Sequence, residues 1–535
     1  MDFRGKGAVP GWSRSLVLAI LWGIPAVLAT DVSTYHNDNA RTGQNLQETL
    51  LSPSNVNSSS FGKLFTVSVD SVIDAQPLVL SSVSFADAIH NVLYAVTEND
   101  SVYAFDADDG TPLWNVFVLR SRETPSDTRD CGQVVPQIGI TSTPVIDRTS
   151  GAHGTIYVVA MSMDSFGTYH QRLHALDMTT GVEEFGGPVT IQAKYPGKGE
   201  DSKNGQVLFV PKHYAERAGL LLLNHVIYTS WTSHCDRRPY TGWLIGYNES
   251  TLAQTSVLNV TPNGSQGAIW QAGSGPAADG PGNIYFLDAN GTFDTTLNGQ
   301  GFPEKGDYGN AFIKVSTAMG KLAVADYFSM YNTAFESDRD DDLGSGGALV
   351  LPPMTDSSGI TRYLALGAGK DSNIYIVNRN NMGKFNPDND SAIYQEIEGA
   401  LPGGVLSMPA FFDGNVYFAP RGNNLLQFHF SQAKLSTSPT SRSATVFLYP
   451  GSTPSVSANG STNGIVWAIE HSNPSVLHAY KASNLATELY NSNQATNQRD
   501  HFGAASHFGT PTIANGKVYV GTTTGVAVFG LLKSR

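Results

Sequence analysis

Cysteine is nearly absent from this chain: Cys131 and Cys235 are the only two in 535 residues. A disulfide-dense small scaffold is therefore excluded, and a single intramolecular pairing is possible. In an oxidising compartment the even count favours a Cys131–Cys235 disulfide, the alternative being two buried thiols. Charge is sparse as well, at 15% of residues, and its balance is acidic, with a formal net charge of -13. That sign argues against nucleic acid or an anionic membrane surface as partner, since both need a basic footprint. No stretch carries the 3.6-residue apolar period of a long amphipathic helix. Gly-x-Ser-x-Gly, Walker and HExxH motifs are missing, so hydrolase, nucleotide and zinc-protease chemistry has no support.

Long apolar runs are missing too, except one. Arg4, Lys6 and Arg14 precede an apolar stretch from Leu16 to Ala29 that ends in Val27-Leu28-Ala29. This is the pattern of a signal peptide over 1–29 with a small-residue cleavage site, and the run is too short for a permanent span. The expectation is a secreted, extracellular protein without a membrane anchor. Eight Asn-x-Ser/Thr sequons, at Asn57, Asn99, Asn248, Asn259, Asn263, Asn290, Asn389 and Asn459, fit a glycoprotein. In a chain this rich in Asn, Ser and Thr, such triplets also arise by chance.

What the chain has in quantity is glycine, 54 residues, together with Tyr, Val, Thr and Asn, the composition of short strands joined by tight turns. No linker-like change of composition divides residues 30–535, which read as a single domain. A unit of strand, turn, strand, turn, strand is clearest from Asn91 to Trp114. Val92, Tyr94 and Val96 alternate with the opposite face, Asn99-Asp100 makes a hairpin, and Gly110 is free to take the positive φ of the second turn. Trp114 supplies a large apolar body to wedge between units. The grammar recurs around Tyr157, Tyr228, Tyr285, Tyr375, Tyr417, Trp467 and Tyr519, for eight units in all. Small sheets of this kind bury both faces only by stacking around an axis. The predicted fold is thus all-β, an eight-bladed β-propeller of four-stranded antiparallel blades, seven blades being the alternative. Short segments at Gln76-Pro77, Thr143-Pro144, Gly346-Gly347, Met408-Pro409, Thr453-Pro454 and Thr510-Pro511 precede the expected innermost strands. The last unit lacks an outer strand, and residues 62–69 are predicted to complete it and close the ring.

The segment from Val102 to Trp114 resembles the pyrroloquinoline-quinone (PQQ) repeat, and the whole mature chain resembles the quinoprotein alcohol dehydrogenase-like superfamily. It is also similar to a group of secreted PQQ-like propellers through Ser233-His234-Cys235-Asp236 and Asp340-Asp341-Asp342-Leu343-Gly344. The resemblance implies an oxidoreductase that binds PQQ and calcium, oxidises an alcohol or other small organic molecule, and passes electrons to an external acceptor. It makes Trp270 the residue stacking on the quinone, Asn290 a calcium ligand, Asp342 the base and a calcium ligand, and Lys370 the cation contacting the quinone. Asp164 is nearest to the family's calcium-binding Glu. An aromatic floor, a base, a cation and a divalent ion form a coherent set for oxidising an alcohol.

Other readings stay open for each of these residues. Trp270 is equally suited to packing between blades; Asn290 to a turn, or to carrying a glycan, which a cavity wall would forbid. The acidic run Asp338, Asp340, Asp341 and Asp342 suits a solvated loop or a calcium loop, and Lys370 an ion pair with Asp371. His213, Arg217, His234, Asp236 and Tyr240 flank one unit and are candidates for a polar pocket, although their spacing fits no zinc site. Departures from the family are the missing Glu, the absence of an adjacent-cysteine disulfide, and the absence of Cys-x-x-Cys-His, hence no covalent haem. The second class of function is a cofactor-free propeller serving as a binding scaffold for an unknown protein partner, or as a non-redox enzyme.

Overall fold

The computed structural model describes residues 1, 2, 4, 5, 7 and 30–533. The apolar run of the expected signal peptide lies outside the described residues. Strands dominate, and the one α-helix among the described residues is the short Thr333–Arg339. No described helix is long and apolar enough to cross a membrane.

Among the described residues, eight sheets of four or five strands follow one another along the chain. The first holds Leu78–Ser84, Ile89–Val96, Ser101–Asp106 and Pro112–Phe117, each antiparallel to the next. It matches the unit read from residues 91–114. Trp114 packs as expected: it is half-buried among the residues of the first sheet's core, and its indole Nε1 donates to the Met178 carbonyl of the second sheet at 3.1 Å. The third sheet holds Leu221–Leu223, Val226–Trp231, Trp243–Asn248 and Gln254–Asn259. The fourth holds Ala277–Ala278, Asn283–Leu287, Phe312–Ser316 and Ala323–Phe328, and the fifth Leu349–Val350, Leu364–Ala368, Ile374–Asn378 and Gln395–Ile397. Alternating apolar residues of adjacent sheets form the cores between them, as where Ile313 and Phe286 of the fourth meet Leu221 and Leu244 of the third.

The last sheet joins the chain's two ends. Its strands Thr512–Ala514, Lys517–Gly521 and Gly525–Leu531 are completed by Phe61–Ser68, which pairs antiparallel with Gly525–Leu531 from Phe61 opposite Leu531 to Ser68 opposite Gly525. The expected segment of residues 62–69 thus does join the last unit, one residue earlier than read.

A feature the sequence reading missed is the segment just before that strand. Residues 32–45 touch the first strand, or its approach, in every one of the eight sheets. Val32 bridges Val79, and Ser33 O accepts from Ile146 N. Asn39 binds Leu222 O through Nδ2 and Ala278 N through its carbonyl. Ala40, Thr42 and Gly43 carbonyls accept from Val350, Phe411 and Val456 N–H groups, and Asn45 Nδ2 reaches Ile513 O. At the centre, Arg41 is fully buried and spreads its guanidinium over Pro276 O at 3.0 Å, Leu220 O at 3.1 Å, and Thr34 Oγ1 and Tyr35 O at 2.8 Å each. First strands have no partner on their axial side, so their free N–H and C=O groups need a hub, and this segment provides it.

Candidate active site

A cavity of about 330 Å³ opens among the loops that link the sheets. Trp270, Asn290, Asp342 and Lys370 all line it. Trp270 ends the loop leading to the fourth sheet, with its ring edge-on to Phe508 at 6.0 Å between centroids. Asn290 sits three residues beyond Asn283–Leu287. Asp342 precedes the short turn Leu343–Ser345, and its carbonyl accepts from the Lys370 N–H, which fixes the two segments side by side.

The polar groups on this wall are tied through Asp340. Lys370 Nζ lies 2.6 Å from both Asp340 Oδ1 and Asp342 Oδ1, and 6.0 Å from the centre of the Trp270 ring. Asn290 Nδ2 donates to Asp340 Oδ1 at 2.6 Å, which leaves Asn290 Oδ1 without a partner. Asp342 is 1% exposed, and apart from the Lys370 ammonium its two oxygens have no partner. Burial pushes the Asp342 carboxyl up to about 6 against the opposing pull of Lys370. Burial alone would lower the Lys370 ammonium, but Asp342 and Asp340 outweigh it and raise its pKa. Lys370 therefore pairs with Asp340 and Asp342, not with Asp371, which instead accepts from the Tyr375 hydroxyl at 2.5 Å.

The rest of the lining is built differently. Cys131 and Cys235, 104 residues apart with Cα atoms 5.5 Å from each other, form the expected disulfide, and both line the cavity. Of the five residues considered for a polar pocket, Arg217, His234 and Asp236 line it. His213 is held by Asp201 at 2.7 Å, and Tyr240 stands behind the wall, donating to Asp236 Oδ1 at 2.8 Å. The His234 imidazole is lowered to about 4 by burial and then by Arg129, so it is neutral. Tyr449, Phe508, Arg421 and Leu406 also line the cavity and had no signal in the sequence. Cys235, Asp236 and Phe508 all adopt positive φ, at 50°, 54° and 65°. Such conformations are costly for residues with a Cβ and concentrate where a site holds its side chains in place.

Asp164 is a correction. It is not among the residues lining the cavity; it ends the strand Thr155–Asp164, and its Oδ1 accepts from Phe166 N at 2.9 Å and Thr168 N at 3.0 Å. Those backbone donors, Thr168 first, hold its carboxyl below the ordinary range, as befits a hairpin cap and not a metal ligand. Two sequons are corrected as well. Asn259 is 2% exposed with Nδ2 bound to Thr241 Oγ1 at 2.8 Å, and Asn290 is 7% exposed on the cavity wall, so neither amide nitrogen is free for a glycan.

Among the described residues, no three His, Cys, Asp or Glu side chains are gathered around a point suited to a metal. The cavity's own set is Asn290, Asp340 and Asp342, all oxygen donors, and the unpartnered Asn290 Oδ1 and Asp342 oxygens fit a hard divalent cation in kind. Water and a bound ligand would have to complete the 6–8 oxygens such an ion takes. The indole of Trp270, with a cation beside it, fits a flat anionic partner.

No family model matches the sequence, and no curated protein matches it. Solved structures do match in fold. The quinohemoprotein alcohol dehydrogenase from Comamonas testosteroni superposes with a TM-score of 0.64 at 13% identity, covering 94% of this chain and 81% of that one. A europium-containing methanol dehydrogenase gives a TM-score of 0.60 at 12% identity, covering 94% and 98%. A quinohemoprotein alcohol dehydrogenase from Pseudomonas putida gives 0.59 at 12%, covering 94% and 81%. The chain has the fold of these quinoprotein dehydrogenases.

Proposed function

We propose that this chain is a secreted oxidoreductase of the quinoprotein type, which holds PQQ and a calcium ion in the cavity and oxidises an alcohol or similar small organic molecule. The observation carrying the proposal is the convergence of Trp270, Asn290, Asp342 and Lys370 on one wall, from four segments spread over 100 residues. When bound, PQQ supplies a two-electron acceptor for the hydride of the alcohol's C–H bond. The chain's own residues do the rest. Trp270 offers the face against which a planar group stacks, and Lys370 offers a cation to a carbonyl or carboxylate at its edge. Asn290 and Asp342 would hold the divalent ion. Asp342, a buried carboxylate beside the Lys370 ammonium, accepts the hydroxyl proton. Phe508, edge-on to Trp270, and Tyr449 add further aromatic lining. Electrons leave to an external acceptor.

The same reading extends to the whole chain. The eight sheets are eight blades of a closed ring; the pairing of Phe61–Ser68 with Gly525–Leu531 supports closure. Residues 30–535 are one domain, released by cleavage after Ala29. Glycans belong on exposed sequons such as Asn389 and Asn459.

The test is to add PQQ and calcium to the purified protein, follow binding by quinone absorbance, and then measure alcohol-dependent dye reduction. Saturable binding with turnover is expected, and Asp342→Asn should reduce turnover by roughly 10²–10⁴-fold. Absence of saturable PQQ binding by the wild type would remove the quinoprotein reading.

A further inference from the structure

The Lys370 ammonium occupies an unusual position for a residue whose expected partner is an organic ligand. It bridges Asp340 and Asp342 at 2.6 Å from each, with its side chain only 18% exposed. Beside it, Asn290 has its amide nitrogen turned toward Asp340, so that Asn290 Oδ1, also buried, bonds to nothing. Two carboxylates held by one positive charge, with an unpartnered carboxamide oxygen on the residue bonded to one of them, supply the kind of oxygen ligands a divalent cation takes. An ammonium and a divalent ion cannot share them, because like charges a few ångströms apart repel strongly where water is excluded.

We propose that Lys370 is the internal counter-ion of this site and exchanges with the divalent cation: the metal enters where the ammonium sits, and the ammonium moves out over Trp270 to meet an anionic ligand. The inference rests on the assignment of Asn290 and Asp342 to a cation, and it adds an order of assembly. Metal alone binds weakly, since it must displace a salt-bridged lysine into the cavity with no partner. A planar ligand bearing carboxylates or a quinone oxygen gives the displaced ammonium its partner. The two therefore bind with positive cooperativity, each raising the other's affinity by the same factor. Lys370 has little distance to travel, its Nζ already lying 6.0 Å from the Trp270 ring centre.

The experiment is calcium titration by calorimetry on the full mature protein, with and without PQQ. Lys370→Met should bind calcium about tenfold or more tightly than wild type when no PQQ is present, within the usual range of such couplings. Lys370→Arg, which keeps the charge, should behave like wild type. PQQ should tighten calcium binding by wild type and leave that of Lys370→Met nearly unchanged, and Asp342→Asn in the Lys370→Met background should abolish the gain. Circular dichroism of each variant separates loss of binding from loss of fold. Equal calcium affinities for wild type and Lys370→Met overturn the exchange, and so does a folded Lys370→Met that binds no calcium. Failure of PQQ to bind, with Lys370→Met still gaining calcium affinity, removes the quinone reading and leaves the exchange standing.

Discussion

Arg41 gives the sharpest test of how the propeller is held together. Its side chain is fully buried, and its guanidinium serves Thr34, Tyr35, Leu220 and Pro276, the last two on the approaches to the third and fourth sheets. Burial lowers its pKa to about 10 with Asp38 opposing, so it stays charged at neutral pH and these are charge-assisted bonds. Arg41→Ala leaves buried acceptors without donors, each worth about 1–3 kcal/mol, partly recovered by water entering the space vacated. A net loss of about 3–5 kcal/mol is expected, comparable to removing one member of a buried charged network. Arg41→Lys cannot reproduce the fork and should lose about 2 kcal/mol or more. The measurement is urea unfolding followed by tryptophan fluorescence, with Trp231 and Trp243 as buried reporters in the third sheet and Trp467 as a buried reporter in another. A variant Arg41→Ala within about 1 kcal/mol of wild type, with all reporters unchanged, would refute the hub.

Three other outcomes follow from the geometry. Replacing both Cys131 and Cys235 by Ser releases a constraint over 104 residues and should cost about 3–5 kcal/mol on the chain-entropy account, read as a lower melting temperature that reductant no longer affects. His478 lies 2.7 Å from Glu488 and 3.2 Å from Glu470; burial alone would lower its pKa, but the two carboxylates raise it above 6.5, while Glu488, which burial would raise, is held below 4.5 by His478. The pair's contribution is thus full between pH 4.5 and 6.5, fades as pH rises through the raised His478 value or falls through the lowered Glu488 value, and should vanish from the stability profile of His478→Gln. Tandem mass spectrometry of the secreted protein should find no glycan at Asn259 or Asn290, and occupancy at Asn290 would contradict its place on the cavity wall.

The strand pattern was legible because it is local. The period-two alternation around Tyr94, Tyr157 or Tyr519, with a turn residue at each end, specifies a small sheet within some twenty-five residues, and stacking is the only way such sheets bury both faces. The hub was not legible, because residues 32–45 carry no periodicity. Their bonds run mostly through main-chain carbonyls, which every residue has, and through single side chains such as Asn39, Arg41 and Asn45 whose partners lie far along the chain. Asp164 misled for the opposite reason: an Asp before a Gly-containing turn looks alike whether it binds a metal or its own backbone, and only the donors around it decide.

The residues lining the cavity show the same division. Trp270, Asn290, Asp340, Asp342 and Lys370 belong to the fourth and fifth sheets and the loops leading into and between them, so a motif reading could collect them within one stretch of chain. The other lining residues come from farther apart: Cys131 from the loop between Glu123–Pro125 and Val145–Asp147, Arg217, His234 and Cys235 from around the third sheet, Tyr449 from the link between Ser441–Phe447 and Ser455–Asn459, and Phe508 from just before the last sheet. Those contributions meet only because stacking sheets around a common hub brings distant loops to one mouth, and no local pattern encodes it. The consequence is chemical. Trp270, Asn290, Asp342 and Lys370 are the groups that would bind cofactor and cation, whereas the disulfide, neutral His234 and Arg217 line the same cavity outside that set. Substitutions at Arg217 or His234 should therefore change KM more than cofactor affinity.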